Sequence, residues 1–212
     1  MTETPPRRRG RPPRASAAAE DARTRAVAAA RDLFAQRGYE GVSMRAVAER
    51  AGCAPAALYT AFPNKRALLR HIWETAFEDL HRAIVAALAD SGTPRERLRA
   101  LLIAQVRFWQ ANPDHFRAIF LIEDRVSAPG EAYFVDSSPA AQSVMALTLA
   151  TIAAAQAAGE LEPAEPAEQL EVFFAGVHGA ASLLITVPEF PWTDRAALPD
   201  RMVETLLRGV AP

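Results

Sequence analysis

Residues 43–65 read SMRAVAERAGCAPAALYTAFPNK, and they spell two short helices joined by a tight turn. Ser43 is an N-cap, because its hydroxyl can accept from the open amides of the first helical turn. Val47, Ala51 and Leu58 are spaced to face one core, and Ala48 is small where two steeply crossing helices need close approach. Gly52 follows the first helix, where the turn calls for a residue that tolerates positive φ. Pro55 suits the first turn of the second helix, where its missing N–H costs nothing. Phe62-Pro63 ends that helix, since the residue before proline is pushed out of the α region. Asn64 then caps the next one. Helix, glycine turn, helix is the helix-turn-helix arrangement, whose second helix enters the DNA major groove.

Upstream, Ala26, Ala29-Ala30, Leu33 and Phe34 recur at helical spacing and predict a helix over about 17–37, closed by Gly38. Three helices over about 17–63 thus form one unit. Residues 1–16 hold prolines and arginines without apolar periodicity, so disorder in isolation is expected. Within them Arg7, Arg8, Arg9, Gly10 and Arg11 resemble an AT-hook core, a slim segment that lies in the narrow minor groove of A·T-rich DNA. A generic basic tail that adds only nonspecific affinity explains the same residues.

The charge distribution fits a nucleic-acid partner for the front of the chain. The net charge of −1 over 212 residues hides an asymmetry: residues 1–70 carry fourteen Arg or Lys against six Asp or Glu, and the remainder carries ten against nineteen. A basic front can neutralise phosphates, and an acidic body does not. Half of the residues are apolar, a globular composition. Cys53 is the single cysteine, so no internal disulfide is possible and a reducing, cytoplasmic compartment is expected, with no secretory leader. The longest apolar run, 172–187, is interrupted by His178, Ser182 and Thr186, and no membrane span is expected.

Downstream, helices are predicted over 64–91, with Leu68, Ile72, Phe77, Leu80, Ile84 and Leu88 as its stripe, then over 94–111, 115–122, 139–158, 165–187 and 194–208. Residues 123–137 read as a loop. No stretch alternates with period two, so no sheet is expected and the fold class is all-α. The 165–187 helix is apolar nearly all round and must be covered on both sides. Val172, Gly176, Ala180, Leu183 and Val187 form one of its faces, and Gly176, Gly179 and Ala180 would admit a second helix closely. The last helix is also two-sided, with Leu198, Met202 and Leu206 against Val203, Leu207 and Val210.

Phe34, Gly38, Tyr39, Ser43, Val47-Ala48, Ala51-Gly52, Leu58-Tyr59, Phe62-Pro63 and Lys65 fall in the order and spacing of the TetR (tetracycline-repressor-like) family of bacterial regulators. The chain resembles that family over about residues 22–73. Residues 112–116, NPDHF, and 174–184, FAGVHGAASLL, resemble a C-terminal subgroup with a His-Gly pair. The resemblance implies about nine helices: a disordered basic tail at 1–16, a helix-turn-helix DNA-binding unit at 17–63, and a ligand-binding and dimerisation unit at 64–212. It implies a regulator, usually a repressor, that binds double-stranded operator DNA as a homodimer and is released by a small-molecule effector, with no cofactor and no membrane partner.

On that resemblance the DNA-contacting set comprises Arg7, Arg8, Arg9 and Arg11 of the tail, and Ser43 and Arg45 at a helix N-terminus that can hold a phosphate. Pro55, Ala56, Ala57 and Thr60 lie on the exposed face of the second motif helix, while Tyr59 and Lys65 match family positions that contact phosphate. Two departures weaken direct base readout: Ala54 stands where a capping serine is common, and Ala61 where a larger side chain is common. The effector set inferred from the resemblance is Phe108, Trp109, Phe120, Phe173, Phe174 and His178, although core packing explains any single aromatic. The dimer set is Val172, Gly176, Gly179, Ala180, Leu183, Val187, Val203 and Leu207. His178, Ser182 and Thr186 recur four apart and can satisfy one another, line a pocket or face a partner; no second His or acidic cluster has metal-ligand spacing. Enzymatic chemistry is not expected. His71, His81, His115 and His178 are scattered, and there is no phosphate loop, H-E-x-x-H or assembled catalytic triad. A helical adaptor that binds no DNA is disfavoured by the basic front.

Overall fold

The computed structural model describes residues 14–89, 92–121 and 138–212, with side chains from residue 20 onward. Among these residues every regular element is helical: α1 (Arg14–Arg37), α2 (Met44–Ala51), α3 (Pro55–Ala61), α4 (Lys65–Leu88), α5 (Pro94–Ala111), α6 (Pro113–Phe116), a π-helical turn (Arg117–Leu121), α7 (Pro139–Ala157), α8 (Pro166–Thr186) and α9 (Leu198–Gly209). The all-α expectation holds. The arginines at 7–11 and the loop expected at 123–137 lie outside the described residues.

Local signals set the helix ends. Ser43 Oγ accepts from the Ala46 amide at 3.1 Å, and Asn64 Oδ1 from the Ala67 amide at 2.8 Å. Gly52 adopts φ +64°, and its N–H donates to the Ala48 and Glu49 carbonyls to close α2. Thr93 and Glu96 form a reciprocal capping box at the start of α5.

Three boundaries differ from expectation. Helix α1 begins at Arg14, because the alanine-rich stretch that follows it propagates helix into residues assigned to the tail. Helix α6 begins at Pro113, which is preset for a first helical turn, and runs on into the π turn. The last helix starts at Leu198 instead of 194: the Asp194 carboxylate accepts from the Ala197 amide at 3.0 Å and closes a separate turn first.

Helices α1, α2 and α3 pack around Leu33, Phe34, Val47, Ala48 and Leu58, and α4 carries this core onward through Leu68, Leu69 and Ile72. Beyond it α4, α5, α7, α8 and α9 form a bundle around Leu80, Ile84, Leu98, Leu101, Phe173 and Leu184. Helices α7 and α8, each with mean hydropathy 1.3, are long and apolar enough to cross a membrane, which corrects the reading of 172–187 as too interrupted. Both instead pack within the bundle, α7 on α4, α5 and α8, and α8 on α5, α7 and α9. Interior helices of a helical core carry that same composition.

The two-sided C-terminal helices resolve differently from the predicted dimer set. Val203 and Leu207 are buried in the chain's own core, and Ala180 is buried with them. Gly176 admits the chain's own α9: a Cβ built there would meet Leu206 Cδ1 at 2.5 Å. Gly179 faces open space, and Val172 and Leu183 are 52% and 49% exposed. Val187 is half-buried. The outward face therefore runs through Val172, Gly179 and Leu183, bordered by the half-buried Met202 and Leu206.

Candidate functional site

Helix α3 buries one side chain, Leu58, and exposes the rest, including the predicted Pro55, Ala56, Ala57, Tyr59 and Thr60. Leu58 anchors it below, Pro55 starts it, and Phe62 caps its end by donating to the Leu58 carbonyl. Ala54, at the N-cap, makes no side-chain bond, as its residue type dictates. Pro55 brings no N–H to this end, and the Ala57 and Leu58 amides donate to the Ala54 carbonyl at 3.0 and 3.3 Å. Thr60 Oγ1 donates to the Ala56 carbonyl at 2.9 Å, so this hydroxyl has its acceptor capacity left for a base edge. Ser43 and Arg45 are exposed at the start of α2.

Lys65 also has an intramolecular partner in this geometry. Its Nζ donates to the Tyr39 carbonyl at 2.7 Å and lies 4.0 Å from the Tyr39 ring centre, while Tyr39 stacks on Phe34 at 5.8 Å. The ammonium braces the α1–α2 connection, and its remaining donors are what it can offer a phosphate. Two further braces were not legible in the sequence. Arg25 Nε donates to the Ala51 carbonyl at 3.2 Å, and the Arg23 guanidinium sits 5.1 Å over the Phe62 ring. Arginines on a polar helix face give no local signal of such partners.

A cavity of about 370 Å³ opens among α4, α5, α7 and α8. That lies within the size range of small-molecule sites. Of the predicted effector residues, Trp109, Phe120, Phe173 and Phe174 line it. Phe108 does not; it packs edge-on against Trp109 at 5.0 Å. His178 does not either; it lies in an aromatic cluster with Phe120 at 4.7 Å, Phe116 at 5.2 Å and Phe174 at 5.5 Å. Phe77, Leu80, Leu102, Gln105, Val144, Met145, Thr148, Leu170 and Glu171 line it as well, none of them singled out by the sequence. Gln105 carried a signal: it is the polar member of the buried α5 stripe of Leu98, Leu101, Leu102, Val106 and Trp109.

Phe120 belongs to the π turn, and this turn links the cavity to the front helices. Trp73 Nε1 on α4 donates to the Ala118 carbonyl at 3.0 Å, and the turn and α6 both pack on α1. On α6, His115 Nε2 lies 3.3 Å from an Arg31 guanidinium nitrogen on α1. Burial, and then the Arg31 charge, push the His115 pKa below its ordinary value, against the opposing pull of Asp79 and Asp114. Burial followed by Arg23 lowers that of His71, and burial lowers that of His178. Among the described residues no group of three or more His, Cys, Asp or Glu side chains is placed to share a metal ion.

Residues 26–72 match the family described as bacterial regulatory proteins, tetR family, and residues 98–208 match the tetracyclin repressor-like C-terminal domain. The chain is 36% identical over 119 residues to the HTH-type transcriptional repressor KstR of Mycolicibacterium smegmatis, covering 55% of this chain and 58% of that protein. It is 31% identical over 101 residues to the HTH-type transcriptional activator FasR of the same organism, covering 48% and 46%. The chain thus spans about half the length of these relatives. In shape it is similar to a bacterial regulatory protein in the tetR family from Rhodococcus RHA1, with TM-score 0.75 and 24% identity over 90% of this chain and 97% of the other.

Proposed function

Because the chain belongs to the TetR family of bacterial regulatory proteins, we propose that it is a sequence-specific, non-enzymatic transcriptional regulator that grips operator DNA as a homodimer. The observation that carries this reading is α3 itself, a helix held by one buried leucine with every other side chain turned outward. Residues from Arg14 to 63 form the reading unit, and 64–212 the effector and dimer unit. Ser43, Arg45 and Tyr59 contact phosphate, Thr60 meets a base edge, and Arg7, Arg8, Arg9 and Arg11 add contacts from the tail. Few groups here can read bases, so DNA shape and phosphate geometry carry much of the preference. The protein works in the cytoplasm, beside the DNA. His178-Gly179 groups its C-terminal half with the His-Gly subgroup.

The dimer forms through the outward face of α8, Val172, Gly179 and Leu183, with Met202 and Leu206 of α9 at its edge. The exposed side chains of Val172 and Leu183 support this seam. It holds two α3 helices about 34–36 Å apart for successive major grooves. A small molecule in the cavity acts by favouring a dimer geometry in which that spacing is lost. The path runs from Phe120 through the π turn to α1, and through Trp73 to α4. The sign of regulation is repression, which the longer match to the repressor relative supports.

Titration of a labelled fragment from upstream of the gene tests this. Saturable binding is expected, with log K falling by about 0.9 per phosphate contact for each decade of salt. Arg9→Ala with Arg11→Ala should flatten that slope. A protein that stays a monomer at micromolar concentration and binds no promoter fragment sinks the reading.

A further inference from the structure

We infer that the cavity selects an uncharged, mostly apolar effector bearing one hydrogen-bonding group, such as a hydroxyl, ketone or amide, which the carboxamide of Gln105 receives. This rests on the reading of the cavity as the effector site.

Gln105 is only 9% exposed and lines the cavity from α5. Its side chain makes no hydrogen bond among the described residues, and neither amide atom is sealed within the protein. A side chain this buried whose amide meets no protein partner is uncommon. Its neighbours on the α5 stripe show that an apolar side chain would fit the helix face. The exception is accounted for when the cavity is occupied by a molecule that pairs with it.

The rest of the lining narrows the class. Thr148 Oγ1 donates to the Val144 carbonyl at 2.8 Å, so it can only accept from a ligand. Glu171 is the one ionisable group among the described lining residues, and it is exposed at the mouth. No lining cation is present among them to pair with a carboxylate or phosphate, and burying an unpaired anion is strongly unfavourable. Phe77, Leu80, Phe173 and Val144 wall the remainder with apolar surface from α4, α8 and α7. A carboxamide both donates and accepts, which suits a neutral polar group of either kind.

The test uses the full chain with neutral N-phenyl-1-naphthylamine as a fluorescent occupant, displaced by decan-1-ol or by decanoate. In the wild type the probe should bind, and decanol should displace it at least about tenfold more effectively than decanoate, which must shed its hydration without a partner. Gln105→Leu, close in volume, should keep probe binding and weaken decanol about threefold to tenfold, the value of one hydrogen bond. Glu171→Gln, at the exposed mouth where folding is not at stake, should improve decanoate about threefold and leave decanol unchanged. The inference is overturned if the probe does not bind, if decanoate equals decanol, or if Glu171→Gln leaves decanoate where it was. A folded Gln105→Leu that binds decanol like the wild type overturns it too. Operator release is followed in the same samples. Decanol that binds through Gln105 without freeing DNA upholds the ligand chemistry and defeats the release reading. Decanoate that frees DNA where decanol does not defeats the chemistry and leaves the release reading standing.

Discussion

Helices α3 and α8 both leave one face uncovered, and they do so with opposite chemistry. On α3 the outward residues are small or polar: Ala56, Ala57, Thr60 and Ala61, with Tyr59 as the large exception. On α8 one outward strip is apolar, Val172, Ala175, Gly179 and Leu183, with Glu168, Glu171 and Thr186 exposed toward its ends. The way each helix is held differs as much. Seven residues are too few to be helical alone, so α3 depends on Leu58, on Pro55 and on the Phe62 cap. Burying Leu58 contributes about 1.5–3 kcal/mol. Helix α8 is fixed by Phe173, Val177, Ala181 and Leu184 inside the bundle, whatever covers its outer side. The face proposed to read DNA is thus mounted on few contacts, and the face proposed as the dimer seam is mounted on many.

The largest expected effect breaks the weaker mounting. Leu58→Ala should cost about 2–5 kcal/mol, with operator binding lost. Hydrogen exchange should show α3 amides opening while α8 amides stay protected. Equal loss of protection in both helices would mean that they share one cooperative core. Next, Val172→Glu with Leu183→Glu attacks the stronger mounting from outside. Sedimentation should show a shift from dimer to monomer of at least about tenfold, with monomer stability changed by only about 0.5 kcal/mol per site. A variant that unfolds instead would show that the α8 outer face belongs to the fold of a single chain.

The smallest effect lies at the seam between the two regions. His71, His115 and His178 all have pKa values lowered in the folded state from 6.5, so they favour the neutral form there. Their contribution to stability is present above pH 6.5 and is lost as pH falls through the lowered values, because the unfolded chain then binds more protons. Melting at about pH 7.5 and 5.5 should show the decline, screened because all three are partly exposed. His115→Asn should reduce it, since protonation there sets an imidazolium beside Arg31. Stability that rises on acidification would contradict this account.

Much of the front half was legible because its signals are short-range. A cap and its amide, or a proline and the residue before it, lie within a few positions of each other. The same logic found Asn64. It failed at Lys65, whose carbonyl partner on Tyr39 is twenty-six residues away, and at Arg25, equally far from Ala51. In the cavity, the family resemblance pointed to Trp109, Phe120, Phe173 and Phe174. It also pointed to Phe108 and His178, because a resemblance does not tell a wall from the packing behind it.

By itself the sequence determined that the chain is helical, where its motif turns, and which end is basic. Those follow from backbone preference, capping and charge, which act locally or add up without geometry. Only the tertiary structure decided which side of α8 and α9 faces out, and it reversed the roles assigned to Val203 and Leu207. A helix apolar on two sides gives neither side priority. The choice is made by what packs nearby, and here the absent Cβ of Gly176 receives Leu206 of the same chain. Gln105 became a candidate anchor for the same reason: burial is a sum over distant elements, and four helices had to converge before one amide stood in an apolar room.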